Sequence, residues 1–200
     1  MNEQPTGKNG PLEGLRVIDW TMWQFGPVST MMLADLGAEV IKVESLDGDY
    51  ARQFHRVSGA ASTLPGDLNA YFQSLNRQKM SLAVDLKTDK GKEIMYRLAE
   101  ESDVFVQNFR KGVAERLGLG YEDLAKRNPM IVYGAGTGYG PNGPDSDKPA
   151  FAYTGEARSG SLWWAGPDDG NPYNLQSIAD QISGIMLSYG ILGALMARER

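Results

Sequence analysis

One carboxylate in this chain stands apart from the other acidic residues. Asp180 precedes an uncharged run from Gln181 to Ala197, which closes with Arg198-Glu199-Arg200. That run reads as a helix with Asp180 in its first turn, where free backbone N–H groups and the positive end of the helix dipole favour an ionised carboxylate. An ionised aspartate so placed can serve as a nucleophile at neutral pH. The same placement suits an ordinary helix cap, and the residue types alone leave both readings open. Other candidates are few. There is no cysteine, which excludes disulfides, thiolate metal sites and cysteine nucleophiles, and His55 is the single histidine, which excludes a His-rich metal site. His55 lies among Arg52, Gln53 and Arg56 and reads as a solvated loop residue, with no G-x-S-x-G beside it. Trp163-Trp164 either line a pocket or anchor an irregular loop.

The elements that must position Asp180 follow from the apolar pattern. Leu15 to Trp20 is a short apolar run with Asp19 inside it and reads as a buried strand. A loop from Thr21 to Pro27 leads into a helix with Met31, Met32, Leu33 and Leu36, stopped by Gly37. Glu39–Glu44 is a second strand, so the opening is a strand–helix–strand unit and implies a parallel sheet. Further strands are expected at Ser81–Leu86, Asp103–Phe109 and Met130–Ala135. Further helices are expected after Thr88, over Lys111–Leu117 and over Tyr121–Arg127. The spans 45–74 and 136–175 read as a long functional loop and an irregular region. The fold class is therefore α/β, Rossmann-like, a mostly parallel sheet flanked by helices. Residues 1–10 read as a flexible leader and 11–200 as one domain.

Composition narrows the partners. The chain has 200 residues, 42% of them hydrophobic and 22% charged, with a net charge of −5. That is a soluble globular balance, with no expectation of nucleic acid or an anionic membrane as partner. The polar start and the lack of cysteine fit a cytoplasmic protein. The Gln181–Ala197 run holds 17 residues, with three glycines and two serines. It is shorter than the ~20 residues of a membrane span and reads as a buried core helix. No G-x-G-x-x-G follows the first strand, where Met22-Trp23-Gln24-Phe25 stand instead, which disfavours a nicotinamide cofactor, and no G-x-x-x-x-G-K-[ST] is present.

Several ordered blocks together carry a resemblance. Pro11-Leu-Glu-Gly-Leu-Arg-Val-Ile-Asp19, Gly26-Pro27 and Leu33-Ala-Asp-Leu-Gly-Ala-Glu-Val-Ile-Lys-Val-Glu44 resemble the opening of the class III CoA-transferases. This is the CaiB/BaiF family, which includes formyl-CoA transferases and α-methylacyl-CoA racemases. The match resumes at Leu75-Asn-Arg77, Asp85-Leu-Lys87, Val106-Gln-Asn-Phe109, Glu115-Arg-Leu-Gly118 and Asp180-x-x-Ser-Gly184. It spans nearly the whole chain after residue 10 and corresponds to the N-terminal half of the family's sequences, the N-terminal part of their large domain. The small domain and the C-terminal segment of the family have no counterpart in these residues.

The resemblance implies a CoA-transferase that moves CoA from an acyl-CoA donor to a carboxylic acid, through an aspartyl anhydride and an aspartyl-CoA thioester on Asp180. It implies Gln24 as an amide donor at the reacting centre, with small Ser183 and Gly184 leaving room for the thioester. It places Phe25, Asp85, Lys87, Asn108, Phe109 and Arg116 against CoA. CoA is implied as substrate, with no permanently bound cofactor and no metal, and relatives form interlocked homodimers. There are departures from the pattern. Ser45 stands where relatives often carry a basic residue, and Phe151 stands where the racemases carry a histidine, so racemase or epimerase chemistry is the weaker alternative. A non-catalytic CoA- or acyl-CoA-binding subunit is the other.

Overall fold

The computed structural model describes residues 10–57, 60–167 and 177–200. The expected leader, apart from Gly10, and Leu175-Gln176 lie outside the described residues. The central sheet has five strands: β1 (Arg16–Trp20), β2 (Glu39–Glu44), β3 (Lys79–Ala83), β4 (Val104–Gln107) and β5 (Val132–Ala135). Their order is β3-β2-β1-β4-β5, and every neighbouring pair is parallel. The helices are α1 (Phe25–Asp35), α2 (Ala70–Asn76), α3 (Asp89–Glu100), α4 (Val113–Arg116), α5 (Tyr121–Ala125), α6 (Ala152–Arg158), α7 (Ser161–Trp164) and α8 (Ile178–Arg198). The α/β layer expected from the strand–helix alternation is the one observed.

Alternation along β1 and β4 divides the core in two. Ile18, Trp20 and Phe105 point to one face, where they meet Met95 and Ala99 of α3, Ala114 of α4 and Leu124 of α5. Val17, Val104 and Val106 point to the other, where Leu33 and Ala34 of α1 and Ile191 and Leu195 of α8 cover them. The chain order reverses at β1, so β2 and β3 lie on one side of it and β4 and β5 on the other. Trp20 pairs with Gln107, so the loops after β1 and β4 leave the sheet side by side, at the place where open parallel sheets form a ligand crevice.

The α1 face of the sheet carries a buried polar network. Asp19 is fully buried and accepts hydrogen bonds from Thr21 Oγ1, Thr30 Oγ1 (2.7 Å) and Lys79 Nζ (2.8 Å). Lys79 places its other protons on the Pro27 carbonyl (3.0 Å) and on Asn76 Oδ1 (2.9 Å). Lys42, equally buried, donates to the Thr21 carbonyl at 2.5 Å and pairs with Asp49 at 3.0 Å. Burial alone would raise the Asp19 carboxyl. The ammonium groups of Lys42 and Lys79 and the hydrogen bonds more than offset that and hold it well below the carboxylate range. Burial pushes the Lys79 ammonium down to about 8, although Asp19 opposes the shift.

Several expectations are corrected. The span 45–74 is not an open loop. It holds a 3₁₀ turn at Tyr50–Gln53, two short antiparallel strand pairs and the first five residues of α2. Asn69 caps α2 by accepting from Phe72 N at 3.0 Å. The third strand sits at 79–83 rather than 81–86, because the chain turns at Asp85 into the Thr88 cap of α3. The region 136–175 contains α6 and α7. Nor is α8 buried all round. Its buried residues are Gly184, Ser188, Ile191 and Leu195, one stripe against α1 and β5, while Ile182, Ile185, Met186, Tyr189 and Met196 are exposed. By length and mean hydropathy, 1.3 over its most apolar window, α8 could cross a bilayer.

The network predicts a specific loss. Lys79→Met leaves Asp19 buried without one of its two cations, which costs about 3–5 kcal/mol. It is expected to appear as a lower urea midpoint with an unchanged slope. The sign with pH follows from the depressed Asp19 carboxyl. Its contribution is complete above the unfolded value of 3.8 and is lost as pH falls below it. The wild-type midpoint therefore drops on acidification below about pH 4, and Lys79→Met drops less.

Candidate active site

The site is built where α1 and α8 begin. Gly184 allows the two helices to touch: a Cβ there would lie 2.7 Å from Val28 Cβ and 2.8 Å from the Phe25 carbonyl. Its role is thus helix packing rather than room for a thioester, which corrects the expectation. Ser183, one residue earlier, does face the cleft. Gln24 immediately precedes α1 and bridges the two helix starts. Its Nε2 donates to the Ser177 carbonyl (3.4 Å) and to Gln181 Oε1 (3.1 Å), and its Oε1 accepts from Tyr71 OH at 3.0 Å. The amide is held from both ends, and its N–H side faces the start of α8. Trp23, just before it, adopts a left-handed backbone (φ 65°), a strained conformation for a bulky residue. Its ring stacks on Tyr50 at 6.0 Å and meets Phe54 edge-on at 5.9 Å.

Asn108, just after β4, joins the two crevice loops. Its Oδ1 accepts from Met22 N (2.9 Å) and its Nδ2 donates to the Met22 carbonyl (2.8 Å). Gly26 makes the approach possible, since a Cβ there would come within 2.9 Å of Asn108 Cγ. Phe25 packs its ring against Gly136, whose hypothetical Cβ would sit 2.7 Å from Phe25 Cζ. Phe109 rests on Trp20 with ring centroids 4.3 Å apart.

Asp180 is the third residue of α8, in its first turn as expected, but it does not act as the cap. The capping position is Ser177, left-handed at φ 67° and without a side-chain cap bond. Among the described residues nothing donates a hydrogen bond to the Asp180 carboxylate. Burial, and secondarily the charge of Glu156, push that carboxyl up to about 6. The expectation that the helix end holds it ionised is therefore reversed at mildly acidic pH: desolvation outweighs the dipole. Tyr71 lies in the same field, pushed up to about 12 by burial and then by Asp180 and Asp49.

Two clefts meet at this edge of the sheet. One, about 670 Å³, is lined by Phe25, Asn108, Phe109, Arg116, Ser183 and Asp180, with Arg110, Lys111 and Lys148 adding positive charge. The other, about 480 Å³, is lined by Asp85, Lys87, Ser45 and Phe109. Met22, Phe109 and Val113 line both, so the two form one bent groove. The expected contact residues are thus brought to one groove in two groups, Asp85 and Lys87 at one end and the remainder with Asp180 at the other. Gln24 lines neither cleft and reaches Asp180's turn through Ser177 and Gln181. Phe151 lines the Asp180 cleft and stacks on Tyr153 at 5.7 Å. Trp163 and Trp164 are exposed and line neither cleft, and His55 is exposed.

Sequence reasoning missed Tyr71, Glu156, Arg110, Lys111 and Lys148. Tyr71 lies on a seven-residue helix inside what read as a loop, and nothing in the pattern flagged it. Arg110-Lys111 was legible as a basic pair directly after Phe109.

A family model described as CoA-transferase family III matches residues 12–200. The chain belongs to CoA-transferase family III. It is 42% identical over 193 residues to a protein of Mycobacterium tuberculosis named as the probable fatty acyl-CoA transferase Rv3272, covering 95% of this chain and 48% of that one. It is 38% identical to an acetyl-CoA:oxalate CoA-transferase of Acetobacter aceti, over 98% of this chain and 49% of that one. Among solved structures, a CaiB/BaiF family protein from Brucella suis superposes with a TM-score of 0.88 at 34% identity, covering 96% of this chain and 50% of that one. This family III chain thus spans about half the length of the curated relatives it matches.

Two outcomes follow from this geometry. The folded Asp180 carboxyl lies above its unfolded value of 3.8, so ionising it costs stability as pH rises from about 4 through about 6. Asp180→Asn is therefore expected to melt above the wild type at pH 8, and the difference to close by pH 4, in paired thermal scans. Gly184→Ala forces α8 away from Val28, at a cost of about 1–3 kcal/mol. It also loosens the Gln24–Gln181 contact, which amide hydrogen exchange at the start of α8 reads.

Proposed function

We propose that this chain carries the nucleophile and the CoA-binding groove of a CoA-transferase that moves CoA from an acyl-CoA donor to a small carboxylic acid. One observation carries the reading: Asp180, desolvated and without a hydrogen-bond donor among the described residues, lines a groove edged by Arg110, Lys111, Arg116 and Lys148. A carboxylate stripped of donors is a better nucleophile than a solvated one, and at pH 7 most of a group titrating at about 6 is ionised. Positive side chains at the groove suit an anionic ligand of extended shape.

In this reading an Asp180 oxygen attacks the thioester carbonyl carbon of the donor. The C–S bond breaks, CoA leaves as thiolate, and a mixed anhydride remains. The thiolate then attacks the aspartyl carbonyl carbon, releasing the donor acid as its carboxylate and leaving an aspartyl-CoA thioester. The acceptor carboxylate attacks that thioester and expels the thiolate. The thiolate then attacks the acceptor acyl carbon, giving the new acyl-CoA and restoring Asp180. No net proton is taken up or released. The Gln24 amide, oriented by Tyr71 and facing the first turn of α8, donates to the oxyanion of these steps by giving up its bond to the Ser177 carbonyl or to Gln181. Asp85, Lys87, Asn108, Phe109 and Arg116 hold CoA along the groove, and no resident cofactor is needed.

A second reading, a CoA-binding subunit inactive by itself, is favoured by the uncovered apolar residues of α8. Ile182, Ile185, Met186 and Tyr189 lie open within about three turns of Asp180. The same surface supports assembly as a homodimer. Racemisation is disfavoured, because Phe151 at the Asp180 cleft has no group to carry a proton.

The decisive experiment is trapping. Incubation with acyl-CoAs and hydroxylamine is expected to convert Asp180 to a hydroxamate, seen by mass spectrometry of its peptide and absent in Asp180→Asn. Unmodified Asp180 in a protein that transfers CoA would sink the mechanism. Transfer by the 200-residue chain alone excludes the binding-only reading.

A further inference from the structure

A second carboxylate stands behind Asp180 and has no part in the steps above. Glu156, on α6, is 2% exposed. Its Oε1 accepts from Ala179 N at 3.3 Å, and its Oε2 is buried without a hydrogen-bond partner among the described residues. Ala179 is the second residue of α8, so its N–H is one of the first-turn donors that no intrahelical carbonyl can reach. Ser177 provides no side-chain cap. The donor is satisfied from outside the helix instead. The anchor is itself fixed: Ser159 Oγ and Ser161 Oγ both donate to the Glu156 carbonyl at 2.9 Å, and Ala152 and Gly155 of the same helix line the Asp180 cleft.

We propose that Glu156 is a positioning residue: by accepting the Ala179 N–H it fixes the first turn of α8, and it sets a negative charge against Asp180 from a separate helix. Two effects follow from one side chain. The hydrogen bond holds the residue next to the nucleophile in register. The charge opposes ionisation of Asp180, adding to the larger effect of burial. Other groups facing Asp180 are Tyr71 from α2 and, around the cleft, Arg110, Lys111, Arg116, Asp147 and Lys148. The cations among them are exposed or paired at the surface, as Lys111 is with Ser146 and Asp147 and Lys148 with Asp145. Solvent weakens them there, whereas Glu156 acts from the interior.

The proposal deepens the transferase reading and rests on it only for the role of Asp180 as nucleophile. The test is made without turnover. Glu156→Gln keeps an acceptor for Ala179 N and removes the charge; Glu156→Ala removes both. Carbon-13 NMR of the Asp180 carboxyl, assigned with Asp180→Asn, is expected to show the midpoint falling in Glu156→Gln from about 6 toward 3.8 without reaching it, because burial remains. Amide exchange at Ala179 is expected to be unchanged in Glu156→Gln and about tenfold faster in Glu156→Ala. An unmoved Asp180 midpoint in folded Glu156→Gln overturns the electrostatic part. An unprotected Ala179 amide in the wild-type chain overturns the anchoring part, whether or not either variant folds. If hydroxylamine trapping fails while the midpoint shifts, the nucleophile assignment falls and the role of Glu156 stands.

Discussion

The buried ion pair between Asp19 and Lys79 is the constraint on which the rest of the structure depends. It ties together β1, β3, the first turn of α1 through Pro27 and the end of α2 through Asn76. Lys42, on the same sheet face, extends it to the Thr21 carbonyl and Asp49. Pulling one partner out of a buried ion pair leaves an uncompensated charge at a cost of about 3–5 kcal/mol, so each of these segments has little freedom to move alone. The loop from Thr21 to Gln24 inherits its position from that pairing, and Gln24 then meets the start of α8. A polar cluster one layer below the groove thereby fixes geometry that no groove residue fixes by itself.

Much of this was legible in the sequence, for reasons that differ by element. β1 and β2 read directly because each is a short Val- and Ile-rich run set off by glycine, Gly14 before the first and Gly37 before the second. Thr88 announced α3, since its hydroxyl accepts from Gly91 N as a cap should. α2, α6 and α7 did not read, because they lie in stretches where Gly, Pro, Ser, Asp and Asn recur and read as loop. The place of Asp180 in a first turn was legible; its electrostatics were not. Whether a helix end or desolvation prevails depends on what covers the residue, and here that cover includes Glu156, from a helix the pattern concealed.

α8 illustrates a related limit. An uncharged run rich in small and apolar residues suggests burial on every side, yet only one stripe is covered. A sequence reports how apolar a helix is and not how much of its surroundings is present. The chain spans about half the length of its matched relatives.

The Asn108–Met22 pairing has a consequence for recognition at the crevice. In dinucleotide folds the first loop offers free backbone N–H groups to a phosphate. Here the Met22 N–H is already taken by Asn108 and the Trp23 N–H is directed at Asp49. An anion arriving at this edge therefore meets side-chain cations at the rim, Arg110, Lys111 and Arg116, rather than backbone dipoles. Attraction of that kind is long-ranged and strongly screened by salt. In this variant of the fold the crevice carries its positive charge on side chains at the rim instead of on free backbone N–H groups of the first loop.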